Sequence, residues 1–288
     1  MTVLEQLALS AQQRVAAAKE AAPLNELRES ALTIAYAQRE GKANDPCPAR
    51  DETPRGPLFG FGATLVKPTV AFIPEIKKAS PTQGVIVEDF NYEEIAQDIE
   101  AAGAEALSCQ TEPQLFQGSE EIFGYCRLAQ GLPMLRKDIV VDEYQLYQSK
   151  LLGAQAIWLM ASLADKPTLK RYLSICDELA MDALVEANTF EDIATADAAG
   201  ARIICGNNWS FEDAKPSLTR AQDLRRLIPW DCVYVINGCM RTAKDVAKMA
   251  RAGADALIIG QAFMLADNKK ALLDEFRAAA AEAVHDHE

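Results

Sequence analysis

One short alternation of small, polar and apolar positions recurs four times along the chain. It reads Ala102-Gly103-Ala104-Glu105-Ala106-Leu107, Leu152-Gly153-Ala154-Gln155-Ala156-Ile157, Ala199-Gly200-Ala201-Arg202-Ile203-Ile204 and Ala252-Gly253-Ala254-Asp255-Ala256-Leu257. The glycines stand 50, 47 and 53 residues apart. Each reads as a helix end, with glycine in the left-handed conformation, followed at once by a buried strand. Apolar runs of the same kind lie between and before them, at Thr69-Val70-Ala71-Phe72-Ile73, Met134-Leu135, Asp182-Ala183-Leu184-Val185 and Val233-Tyr234-Val235-Ile236. The pattern predicts eight strands, near 69–75, 106–110, 134–138, 156–160, 182–187, 202–206, 232–237 and 256–260. Short apolar runs suit strands buried on both faces. Amphipathic periodicity predicts helices near 91–102, 119–130, 142–152, 166–180, 189–199, 217–227, 242–252 and 268–282. Capping signals such as Ser119-Glu120-Glu121-Ile122 and Thr242-Ala243-Lys244-Asp245 open two of them. Strict strand–helix alternation predicts an α/β fold, a (β/α)8 TIM barrel over residues 69–288. An open doubly wound sheet usually carries a glycine-rich first turn; here that turn is Lys77-Lys78-Ala79-Ser80-Pro81.

Residues 1–68 stand apart. Helical periodicity over 2–37 (Leu4, Leu7, Leu9, Val15, then Leu24, Leu27, Leu32) gives way to a polar, Pro- and Gly-rich stretch at 38–60. The segment reads as an N-terminal helical extension and linker that covers one end of the barrel.

Composition narrows the function. Of 288 residues, 49% are hydrophobic, enough for a large core, and the net charge of −13 argues against binding nucleic acid or an anionic membrane. An anionic small molecule remains compatible, because a pocket can be locally positive. Seven cysteines without a C-x-x-C pair read as buried thiols in a reducing compartment, not as a disulfide framework or a zinc site. Without a signal peptide or a run of about eighteen apolar residues, the expected location is cytoplasmic. The two histidines, His285 and His287, lie in the terminal tail. Proton transfer therefore falls to Lys, Glu, Asp, Tyr or Cys.

In a barrel the chemistry gathers at the C-terminal strand ends. Strand one ends at Glu75-Ile76-Lys77, with alternation placing both charges on one face. Strand two runs into Thr111-Glu112, strand three ends at Arg136-Lys137-Asp138, strand five at Val185-Glu186 and strand six at Gly206-Asn207-Asn208. A charge on an apolar strand tip is costly unless paired or functional. One such charge would pass as a structural ion pair, but Glu75, Lys77, Lys137 and Glu186 converge on one mouth. Asn237-Gly238 after strand seven and Gly260-Gln261 after strand eight occupy the loops that commonly hold phosphate, with backbone N–H groups expected to be open.

At these residues the sequence resembles the indole-3-glycerol phosphate synthase family. The most specific stretch is Glu75-Ile76-Lys77-Lys78-Ala79-Ser80-Pro81 followed by Gly84. Thr111-Glu112-Pro113 with Phe116-Gln117-Gly118-Ser119, and Leu135-Arg136-Lys137-Asp138 with Asp142-Glu143-Tyr144-Gln145, are similar to the second and third loops. The likeness spans about residues 69–276. It implies a carboxy-lyase of tryptophan biosynthesis that closes a carboxyphenylamino-deoxyribulose phosphate to the indole, losing CO2 and water. Lys137 would be the general acid and Glu186 would serve the dehydration. Glu75 and Lys77 would position the anthranilate part. Asn207 would hydrogen-bond substrate, and Ser80, Asn237, Gly238, Gly260 and Gln261 would lie around the phosphate. The resemblance implies neither metal nor organic cofactor. Its partners would be a small phosphorylated aromatic substrate and other tryptophan-pathway enzymes.

Two stretches depart from the family pattern. Where the family has Arg-Asp-Leu after the paired asparagines, Trp209-Ser210-Phe211 stand. Where it has Ser-Glu-Ser-Gly-Ile after strand seven, Val235-Ile236-Asn237-Gly238-Cys239 stand, so that Ile236 takes the place of a catalytic-site glutamate and Asn237 that of a phosphate-side serine. These departures keep two alternatives open: a diverged isomerase or lyase on another phosphorylated substrate, and a non-catalytic binding barrel. Retention of four charges speaks against the latter, since unpaired buried charge destabilises a fold.

Overall fold

Each of the eight predicted apolar runs forms a strand, and they close into a parallel barrel. The computed structural model describes residues 2–40, 60–209 and 215–285. The strands are β1 (Ala71–Ile76), β2 (Leu107–Gln110), β3 (Met134–Lys137), β4 (Ala156–Met160), β5 (Asp182–Glu186), β6 (Ile203–Asn207), β7 (Val233–Asn237) and β8 (Ala256–Ile259). Each pairs with its sequence neighbours, and β1 closes on β8 through Ala71–Ala256 and Ile73–Ile258. The repeated glycines 103, 153, 200 and 253 hold φ between 79° and 93°, the left-handed turn that ends each helix before the next strand.

Twelve helices are described: α1 (Val3–Ala21), α2 (Leu24–Arg39), α3 (Gly60–Leu65), α4 (Tyr92–Ala102), α5 (Glu120–Ala129), α6 (Tyr144–Leu151), α7 (Lys166–Glu178), α8 (Phe190–Ala199), α9 (Arg220–Leu224), α10 (Ala243–Arg251), α11 (Gln261–Leu265) and α12 (Lys269–His285). Ser119 caps α5 through the Ile122 amide, and Thr242 forms a capping box with Asp245 on α10. Three local features differ from the sequence reading. The helix expected over 2–37 is two helices, because Pro23 has no amide hydrogen to continue the ladder. The helix expected at 217–227 shortens to α9 plus a 3-10 turn at Arg225–Leu227. A two-strand hairpin (Ala79–Ser80 with Gly84–Val85) follows β1. Of the expected linker, residues 41–59 lie outside the described residues, as do Cys47, Ser210, Phe211 and His287.

Strand alternation divides the apolar residues into two cores. Phe72, Leu107, Ile157, Val185, Ile204, Tyr234, Ile236 and Leu257 face the helices. Ile73, Leu135, Trp158, Leu184, Cys205, Val235 and Ile258 fill the barrel. The inner core is continued at both ends by the N-terminal segment. Leu7 and Ala11 of α1 and Phe61 and Leu65 of α3 join it. Helix α1 lies at the C-terminal strand ends, where Arg14 holds the buried Asp138 through both guanidinium Nη atoms, at 2.8 and 3.3 Å. Helix α3 lies at the opposite end, where the Gly62 amide donates to Asp182 at the start of β5 at 2.7 Å. The segment thus touches both ends of the barrel, not one. Cys109, Cys126, Cys176, Cys205 and Cys232 are buried free thiols, and Cys239 is a half-buried one. Among the described residues no helix is long and apolar enough to cross a membrane.

Candidate active site

The C-terminal strand ends surround a cavity of about 850 Å³. All ten candidate site residues line it: Glu75, Lys77, Ser80, Lys137, Glu186, Asn207, Asn237, Gly238, Gly260 and Gln261. Glu75 is its electrostatic centre and is buried. Its Oε2 meets the Lys137 ammonium at 3.2 Å and its Oε1 meets that of Lys77 at 3.5 Å. Gln110 Nε2 donates to the same Oε1 at 3.2 Å. Burial pushes the Glu75 carboxyl up, but the two lysines and the hydrogen bonds more than offset it and hold it down at about 2. Glu75 is therefore an anion throughout the neutral range.

Lys137 is held by three contacts of different kinds. Besides Glu75, it donates to Asn237 Oδ1 at 3.2 Å, and its Nζ lies 4.2 Å from the centroid of the Trp158 ring. Such a niche aims an ammonium without immersing it in water.

Glu186 sits in a different field. Burial pushes its carboxyl above the usual range, and Lys137 with hydrogen bonds from Asn188 and Asn207 opposes this only in part. Asn188 Nδ2 donates to Oε1 at 2.7 Å and Asn207 Nδ2 to Oε2 at 3.3 Å. Asn207 is itself oriented by the Trp209 backbone amide, which donates to its Oδ1 at 3.0 Å. One carboxyl is held low and stays charged beside the lysines, while the other is pushed high, so of the two it is Glu186 that can exchange a proton near neutral pH.

Strand seven requires a correction. Alternation turns Val233, Val235 and Asn237 inward and Tyr234 and Ile236 outward, so Ile236 is wholly buried against the helices and reaches no cavity group. Asn237 is the residue at the inner tip and the one bonded to Lys137. Laid without a gap on Ile236-Asn237-Gly238-Cys239-Met240, the family's Ser-Glu-Ser-Gly-Ile pairs Asn237 with the glutamate and Cys239 with the glycine. Cys239 supports this frame, because its φ of 63° lies in the region that favours glycine. A second expectation also fails. The Gly238 amide is not open, since it donates to the Ile258 carbonyl at 3.1 Å.

The far wall joins the loops after β1 and β8. Gln83 Nε2 donates to Gln261 Oε1 at 2.9 Å, and Ser80 lies in the hairpin beside them. A Cβ on Gly260 would stand 2.7 Å from Lys77 Cε, so glycine there lets the lysine lie against the β8 backbone. Arg241, after β7, adds a second cation to the wall. Other tip residues serve the scaffold. Glu112 accepts the amides of Gln114, Leu115 and Phe116 within its own loop. Arg136 faces outward to Glu120 and Asp138, at 2.8 and 3.1 Å.

Sequence reasoning missed Gln110, Trp158, Asn188 and Arg241. Gln110 was legible as a polar residue closing an apolar strand, and Asn188 as an amide two residues beyond Glu186. Trp158 resembles any other core residue in a strand buried on both faces. Among the described residues no group of three or more His, Cys, Asp or Glu is arranged to hold a metal ion.

Comparison with known proteins places the chain in a family. The family model "Indole-3-glycerol phosphate synthase" matches residues 57–276. The indole-3-glycerol phosphate synthase of Ruminiclostridium cellulolyticum is 39% identical over 222 residues, 77% of this chain and 85% of the relative. That of Lachnoclostridium phytofermentans is 33% identical over 276 residues, 96% of this chain and 99% of the relative. Among solved structures, 3-hexulose-6-phosphate synthase aligns with a TM-score of 0.56 at 16% identity, covering 73% of this chain and 99% of that one. Thiamine phosphate pyrophosphorylase from Pyrococcus furiosus aligns at 0.54 and 14%, covering 75% and 97%. Those two likenesses concern the barrel alone, whereas the family match spans the strands, loops and charges that build the cavity: this chain belongs to the indole-3-glycerol phosphate synthase family.

Proposed function

We propose that this chain closes 1-(2-carboxyphenylamino)-1-deoxyribulose 5-phosphate to indole-3-glycerol phosphate, releasing CO2 and water. The observation that carries the reading is the Lys137 ammonium, fixed between Glu75, Asn237 and the Trp158 face in a cavity that also holds Glu186. Lys137 donates a proton to the substrate ketone as the ring carbon bearing the carboxylate attacks it. Loss of CO2 leaves its electron pair in the ring and restores aromaticity. The hydroxyl made from the ketone then leaves as water, and Glu186, poised by burial to take and return a proton, serves that step. Glu75 keeps its charge and aims Lys137, and Lys77 places the anthranilate part. Ser80, Gly238, Gly260 and Gln261 surround the phosphate. Asn237 is reassigned by its contact from the phosphate to Lys137. That reaction belongs to tryptophan biosynthesis, which makes enzymes of that pathway the expected partners.

A second reading, a barrel acting on another phosphorylated substrate, draws on Trp209 and Asn237, which stand where the family has arginine and glutamate. One assay separates the two. Purified protein is given the carboxyphenylamino-deoxyribulose phosphate and indole fluorescence is followed. The synthase reading expects product at a 1:1 ratio with CO2. No turnover, together with no binding of the reduced substrate analogue, overturns it in favour of the second.

A further inference from the structure

The ion pair between Glu75 and Lys137 reaches across a strand. Glu75 is on β1 and Lys137 on β3, and β2 lies between them, paired to β1 through Glu75–Ser108 and Ile76–Cys109 and to β3 through Gln110–Lys137. The side chain that β2 places in this gap is Gln110. It is buried, it lines the cavity, and it stands in register beside Lys137. Its Nε2 donates to Glu75 Oε1 at 3.2 Å, the oxygen that also faces Lys77 at 3.5 Å. The other oxygen, Oε2, is thereby left to Lys137 at 3.2 Å.

We infer that Gln110 is a positioning residue: its amide fixes the rotation of the Glu75 carboxylate so that one oxygen stays on Lys137 and aims that ammonium into the cavity. The inference rests on the synthase reading above for its catalytic consequence, but not for its structural one. A carboxylate between two ammonium groups has two competing orientations, one shared between the lysines and one turned onto Lys77 alone. A neutral donor on Oε1 selects the first without adding a charge. An amide is suited to this, because a third cation would draw Glu75 away from Lys137 and a carboxylate would repel it. The charged groups facing Glu75 are Lys77 from the loop after β1 and Lys137 from β3, with Glu186 from β5 across the same cavity and the Cys205 thiol on β6 in its field. Removing the Gln110 donor withdraws one interaction that favours the anion, so the Glu75 carboxyl shifts upward from its depressed position.

The test uses the full chain with Gln110→Met, which keeps the size and loses the donor. A second variant, Gln110→Glu, is isosteric and recovers a donor only when protonated. Two quantities are read: kcat and KM with the carboxyphenylamino-deoxyribulose phosphate across pH, and the titration of Glu75 by carboxyl 13C NMR in the free protein, assigned with Glu75→Gln. Gln110→Met is expected to lower kcat about tenfold with KM within about twofold, the cost of a misaligned reacting group. It also moves the Glu75 titration upward. Gln110→Glu loses kcat at neutral pH and recovers part of it, relative to wild type, as pH falls. A kcat within twofold of wild type in Gln110→Met, or a Glu75 titration that does not move, overturns the inference. If the wild-type chain itself does not turn over this substrate, the synthase reading fails, and the Glu75 titration alone decides the role of Gln110.

Discussion

Asn237 and Ile236 are adjacent, yet they face different worlds: one touches the Lys137 ammonium and the other is packed among apolar helix-side residues. The sequence motif alone, aligned on its glycine, puts the missing carboxylate at Ile236. The side-chain period of two in a strand puts it at Asn237. These assignments make opposite predictions. Ile236→Glu buries an unpaired carboxylate in the helix-facing core and is expected to cost roughly 3–5 kcal/mol without raising activity. Asn237→Glu places its carboxylate against the Lys137 ammonium and is expected to destabilise less than Ile236→Glu, because the added buried charge has a partner. Urea unfolding with the fluorescence assay checks both, and a folded, faster Ile236→Glu would restore the motif-based assignment.

At the scale of elements, the N-terminal segment bridges the barrel's two ends by different physics. Helix α1 is joined to the β3 tip by the Arg14–Asp138 pair and to α6 by the Tyr144 hydroxyl, whose one hydrogen is within reach of the Ala18 and Ala22 carbonyls. Helix α3 is held at the far end by Asp182, whose carboxyl burial pushes up to about 6 despite the Gly62 and Phe61 amides and Arg202, with Asp177 adding to the rise. A folded-state value above the unfolded one means the unfolded chain ionises first. The stabilising contribution is full below about pH 4 and is lost as pH rises through about 6. The neutral Asp182→Asn cannot ionise, so its stability relative to wild type is expected to fall by about 2–3 kcal/mol between pH 7 and pH 4. A difference independent of pH in thermal unfolding contradicts this. The strands and the glycine-capped helices were legible, because burial and left-handed caps write themselves locally as apolar runs and glycines. The hairpin after β1, the seat of α3 and the contacts of Arg14 were not, because each depends on residues more than a hundred positions away or on two-residue ladders that carry no period.

For the whole molecule, the barrel gathers charges from strands one, three and five into one mouth, and an acidic chain of net charge −13 keeps two lysines and an arginine in the lining of a single cavity. The four charges named from strand tips are those the structure brings together. Of the neutral groups around them, Asn237 was named but given to the phosphate, Gln110 and Asn188 showed only as amides near strand tips, and Trp158 carried no signal, because an amide or a ring becomes specific only through its partner across the barrel. The proposed synthase site stands or falls with Lys137 as its proton donor. Turnover of the carboxyphenylamino-deoxyribulose phosphate by Lys137→Met, measured by indole fluorescence beside wild type, tests it most directly. A fall in kcat of about a thousandfold or more, with the reduced substrate analogue still bound, is the expected result. A variant that retains more than about a tenth of wild-type kcat contradicts the claim.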